Sequence, residues 1–95
     1  MKWSATLAWR IELTATAAEQ LGKLDKNEAK RITDFLRNRL ALQDDPRKTG
    51  HALVGPQFGS YWRYRVGDYR LICDIQDGAL RILVIEVGNR REVYR

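Results

Sequence analysis

Apolar and polar residues alternate along Trp9, Arg10, Ile11, Glu12 and Leu13, the period-two pattern of a half-buried strand. The period then lengthens. Thr14 to Thr16 can start a helix, Thr16 and Glu19 have the spacing of a capping box, and Ala17, Leu21 and Leu24 fall on one helical stripe. Gly22 weakens that helix only slightly. Asp25 with Glu28 reads as a second helix start. Beyond it Ala29, Ile32, Phe35, Leu36 and Leu40 recur at helical spacing, with Lys30, Arg31, Asp34, Arg37 and Arg39 on the other side. Two antiparallel helices joined near Leu24-Asp25 are expected.

From Gln43 to Gly59 periodicity stops, and Asp44, Asp45, Pro46, Gly50, Gly55, Pro56 and Gly59 mark a long loop. Three strands are predicted after it. Trp62, Tyr64 and Val66 alternate with Tyr61, Arg63 and Arg65. Gly67-Asp68 supplies a tight turn, and Tyr69, Leu71, Cys73 and Ile75 then alternate with Arg70, Ile72 and Asp74. Asp77-Gly78 signals another hairpin turn. Leu80 through Val87 is apolar on both faces apart from Arg81 and Glu86, as in a central strand, and Gly88 ends it. The predicted fold is α+β: an N-terminal strand, a two-helix hairpin and a three-stranded antiparallel meander, with helices packed on one face of the sheet. Arg63 and Arg65 should point from the other, partly open face. The 95 residues suit one domain.

Composition narrows the chemistry. Cys73 is the single cysteine and His51 the single histidine, so neither a disulfide nor a His/Cys metal site is expected, nor any other cofactor, and a reducing cytoplasm is the default. The opening Met1 to Ala8 is too polar for a signal peptide, and no apolar run approaches the roughly 20 residues of a membrane span. Seventeen Lys and Arg against twelve Asp and Glu give a formal charge of +5, which favours polyanions such as nucleic acid.

Arg63 and Arg65, two apart, share a face of one strand, and a turn at Gly67-Asp68 brings Arg70 beside Arg65. Arg90 and Arg91 follow the last strand, with Tyr94 close behind. Gathered together, these side chains suit one RNA phosphate. RNA breaks without metal when its own 2′-hydroxyl attacks the adjacent phosphorus, which calls for a base, an acid and positive charge around the transition state. Arginine supplies bidentate phosphate contacts and fixed charge. Tyr94 could stack on a base or position a hydroxyl. Arginine stays protonated at ordinary pH, so His51, Asp74, Glu86 and Glu92 are the further candidates for proton transfer. The structural alternatives are ion pairing of Arg70 with Asp68 or Asp74, a surface role for Arg91, and a loop position for His51.

The stretch Tyr61-Trp62-Arg63-Tyr64-Arg65-Val66-Gly67-Asp68-Tyr69-Arg70-Leu71-Ile72 resembles a hairpin of RelE-type toxins of the RelE/ParE superfamily. Val87-Gly88-Asn89-Arg90-Arg91-Glu92-Val93-Tyr94 resembles that family's ending, and the helical hairpin and Leu53-Val54-Gly55 also fit. The resemblance runs from about Ala8 to Tyr94 and leaves residues 1–7 as an N-terminal extension. It implies a ribosome-dependent messenger-RNA endonuclease that meets mRNA in the ribosomal A site, contacts ribosomal RNA and is neutralised by a small acidic antitoxin. It also implies a catalytic set of Arg63, Arg65, Arg70, Arg90 and Tyr94, with Arg63, Arg65 and Arg91 on the RNA. By position Arg65 would be the base and Arg90 the acid, although the family's best-known member carries lysines in place of Arg63 and Arg65. A ParE-like toxin that inhibits DNA gyrase by binding is the alternative on the same fold.

Overall fold

The computed structural model describes residues 8–53 and 61–89. The residues that alternate in sequence do form strands, and the longer periods form helices. The elements are β1 (Arg10–Leu13), α1 (Ala15–Gly22), α2 (Lys26–Phe35), β2 (His51–Ala52), β3 (Tyr61–Val66), β4 (Tyr69–Gln76) and β5 (Arg81–Asn89). The sheet order is β1-β5-β4-β3-β2. The β3–β4–β5 meander is antiparallel as expected, while β1 adds to the far edge of β5 in parallel. α1 is the crossover's first element and packs directly on β5. Among the described residues no helix is long and apolar enough to cross a membrane.

Three local expectations are corrected. The cap of α1 is Thr14 rather than Thr16: its hydroxyl accepts from the Ala17 amide and donates to the Ile85 carbonyl, while its own amide bonds Val84. Anchoring to β5 therefore fixes where the helix starts. The hairpin turn at Asp77-Gly78 is longer than a two-residue turn: it is a short 3-10 turn, Asp77–Ala79, closed by Leu80 in the left-handed region (φ 49°). β5 accordingly starts at Arg81 and runs past Gly88 to Asn89. The predicted Gln43–Gly59 loop contains structure: a 3-10 turn, Pro46–Thr49, and then β2.

The second helix begins as predicted, with Asp25 accepting from the amides of Asn27 and Glu28. It closes in a π turn, Leu36–Leu40, in which the Ala41 amide reaches back to the Leu36 carbonyl. The wider turn keeps both Leu36 and Leu40 buried. Ala17, Ile32, Leu36 and Leu40 from the helical layer pack against Tyr64, Leu71, Cys73, Ile75, Ile82, Val84 and Val87. All the sheet residues in that cluster belong to one face of the sheet. Burial pushes the Cys73 thiol far above its ordinary range, so this cysteine is a small core hydrophobe.

Candidate active site

Register defines the opposite face. Gly67 takes φ 60°, and it is the only central residue of the β3–β4 turn with positive φ, the geometry of a type II′ hairpin. The turn fixes Val66 opposite Tyr69, Arg65 opposite Arg70, Tyr64 opposite Leu71 and Arg63 opposite Ile72. Tyr64 and Leu71 are core residues, so Arg63, Arg65 and Arg70 stand on the face turned away from the helices. Arg65 and Arg70 form the pair next to the turn's own bonded pair, which places their Cα atoms about 4.5 Å apart. Like charges directly opposite one another disfavour the folded sheet.

Arg70 sharpens the conflict. It is only 5% exposed, and its Nε and Nη1 atoms are buried with no hydrogen-bond partner. Neither Asp68 nor Asp74 pairs with it among the described residues; Asp74 instead accepts from Gln76. Leaving buried donors unsatisfied costs about 1–3 kcal/mol. Native proteins avoid such orphans, so a buried guanidinium of this kind is a feature that a bound anion would satisfy. On β5, Gly88 stands opposite Arg70 and adds no side chain over it.

The next row across the face was not anticipated. β2 pairs with β3 so that His51 lies opposite Arg63, which in turn lies opposite Ile72, itself opposite Glu86. Two contacts place His51 there. The Tyr64 hydroxyl donates to the Pro46 carbonyl at 2.8 Å, holding the 3-10 turn over the sheet edge. Gly50 then passes so close to the Tyr64 ring that a Cβ on it would fall 2.8 Å from ring carbons. His51, Arg63 and Arg65 line a cleft of about 310 Å³ with Phe35, Thr49 and Tyr64. Arg65 also borders a neighbouring cleft of about 460 Å³, where Arg31 and Arg39 of the helical layer add charge. Arg47 of the 3-10 turn donates through Nη1 and Nη2 to the two oxygens of the Asp77 carboxylate, and that hydrogen bonding holds Asp77 below its ordinary range.

Arg63, Arg65 and Arg70 are thus brought together, and His51 joins them. Arg90, Arg91, Glu92 and Tyr94 lie outside the described residues. Among the described residues no group of three His, Cys, Asp or Glu side chains gathers as a cation site. Chemically, the face offers a positive platform and one imidazole, and among the described residues no carboxylate forms an ion pair with Arg65 or Arg70.

Comparison with known proteins identifies the family and agrees with the fold. The family model described as ParE toxin of type II toxin–antitoxin systems matches residues 11–94. Toxin RelE of Mycobacterium tuberculosis is 31% identical over 87 residues, covering 92% of this chain and 87% of that protein. Among solved structures, the toxin in the RelBE2 toxin–antitoxin complex of Mycobacterium tuberculosis aligns with a TM-score of 0.79 at 23% identity, covering 92% of this chain and 97% of its own. The archaeal RelE–RelB complex of Pyrococcus horikoshii gives 0.70 at 25% identity over 88% and 97%. The isolated E. coli RelE toxin gives 0.68 at 21% identity over 92% of each chain.

Proposed function

The chain belongs to the RelE/ParE family of type II toxin–antitoxin toxins, and from that membership we propose that it is an endoribonuclease that cuts messenger RNA on translating ribosomes. One observation carries the reading: the buried Nε and Nη1 of Arg70, without hydrogen-bond partners, on a residue directly opposite Arg65. Such a pair is costly in the protein alone and is satisfied by a phosphate held between two forks. Arg63, two residues along the same face, extends the charge in the direction of a strand of RNA.

The reaction is attack by the RNA 2′-hydroxyl on its neighbouring phosphorus, with no metal. The arginines hold the phosphate and stabilise the charge that grows on it, the effect that most often dominates catalysis by fixed sites. Arg90 and Tyr94 complete the site in this reading, Arg90 at the leaving oxygen and Tyr94 against a base, with Arg91 on the RNA backbone. The message is met in the ribosomal A site in the cytoplasm, with ribosomal RNA touching the basic surface. A small acidic antitoxin covers the cationic face in the resting state. The RelE relatives solved together with RelB support a cognate antitoxin as partner.

The family model's own description names a ParE toxin, which keeps the gyrase-binding alternative in view. Message cleavage mapped in a cell-free translation system separates the two. The nuclease reading expects cuts within translated codons, reduced at least 100-fold in Arg70→Ala and lost in Arg90→Ala, a size typical of removing one fixed charge-stabilising donor. Intact messages together with failed DNA supercoiling would establish the gyrase alternative instead.

A further inference from the structure

Message cleavage requires a group that takes the 2′-hydroxyl proton, and the three arginines cannot serve, since guanidinium stays protonated. We propose that His51 is that general base, an inference that rests on the nuclease reading above. Among the described residues, the cleft that Arg63 and Arg65 share contains two side chains with an exchangeable proton besides the arginines and Thr49: His51 and Tyr64. Tyr64 is committed, because its hydroxyl donates to Pro46 and burial pushes its ionisation far above the ordinary tyrosine range. Glu86 lines a different cleft, beside Gln20 and Lys23 of the α1 end, and Asp74 sits one row away accepting from Gln76. His51 stands exposed and opposite Arg63, which shares its strand face with Arg65, the residue paired with Arg70.

The step balances with groups at hand. A neutral imidazole nitrogen of His51 takes the proton as O2′ bonds to phosphorus. The P–O5′ bond breaks, its electron pair leaves on O5′, and water protonates that oxygen. The products are a 2′,3′-cyclic phosphate and a 5′-hydroxyl, and the imidazolium returns its proton to solvent. Among the described residues, the charged or titratable groups near His51 are Arg63, Arg65 and Tyr64 on β3, with Arg47 and Lys48 in the turn that precedes it.

The test is single-turnover cleavage on translating ribosomes between about pH 5.5 and 8.5 for wild type, His51→Ala and His51→Gln, a range that spans ordinary histidine titration. Both substitutions should lower the rate by about 100-fold or more, the usual scale for a positioned base, and abolish the rise of rate with pH. Free imidazole should restore part of the His51→Ala rate. Binding to ribosomes carrying a message methylated at the scissile 2′-oxygen should stay within about twofold of wild type, as a proton acceptor contributes little to binding. A wild-type protein that cuts no message overturns the nuclease reading and the role of His51 with it. A cutting wild type whose His51→Ala variant cuts equally well, or loses rate only through weaker binding without imidazole rescue, overturns the role of His51 alone.

Discussion

The two faces of the β3–β4 hairpin are built to opposite rules. On the helix side Tyr64 meets Leu71 and Trp62 meets Cys73, and the buried members pack into one apolar cluster. On the other side the same backbone register sets Arg65 against Arg70 and His51 against Arg63. The first face gains from every pairing. The second concentrates like charge and buries part of it without partners. Stability comes from one face, and the arrangement that opposes it on the other is what a phosphate would relieve, so function and folding divide along the plane of a single sheet.

Substitutions across that plane should therefore change stability in opposite directions. Leu71→Ala, on the apolar side and fully buried, should cost about 2–5 kcal/mol, read as a lower midpoint in urea unfolding. Its neighbour in sequence should behave in the contrary way. Arg70→Met replaces a buried cation lacking partners by an apolar chain of similar length, and should raise stability by about 1–3 kcal/mol in the same assay while cleavage collapses. Tyr64→Phe leaves the Pro46 carbonyl with only the longer bond from the Thr49 hydroxyl and should cost about 1 kcal/mol, with a further loss of cleavage because the strand carrying His51 loosens.

The smallest effect is one of pH. The folded protein holds the Cys73 thiol and the Tyr64 phenol protonated to higher pH than the unfolded chain does. A raised folded-state value means that the native state keeps protons that the unfolded state releases. Stability from these groups is complete below about pH 8.5, the ordinary thiol range, and declines as pH rises beyond it. Denaturation midpoints measured from pH 7 to 10.5 should fall along the alkaline side, less steeply in Tyr64→Phe.

Much of this division is legible in sequence. The alternation of Tyr61 to Val66 and Tyr69 to Ile75 separates the faces, and Gly67-Asp68 fixes the register that pairs Arg65 with Arg70. What escapes is set by contacts distant along the chain. β2 is two residues long, too short for any period, and exists because Tyr64 grips Pro46 and Gly50 clears its ring. His51 therefore reads as a loop residue until pairing with β3 places it. The parallel union of β1 and β5 leaves no local mark, and the cap of α1 shifts to Thr14 because β5 supplies bonds that the capping-box spacing does not reveal. Arg70 looks like one arginine among several; its burial without partners follows from its strand position and the packing around it.

The chemistry of the severed ends tests the central claim most directly. Message cut by the wild-type protein on translating ribosomes should carry 2′,3′-cyclic phosphate at each new 3′ end. A message with a single 2′-deoxyribose at the scissile position should survive uncut. New ends bearing a 3′-hydroxyl, or scission of the deoxy-substituted message, would contradict an arginine platform that serves the RNA's own hydroxyl.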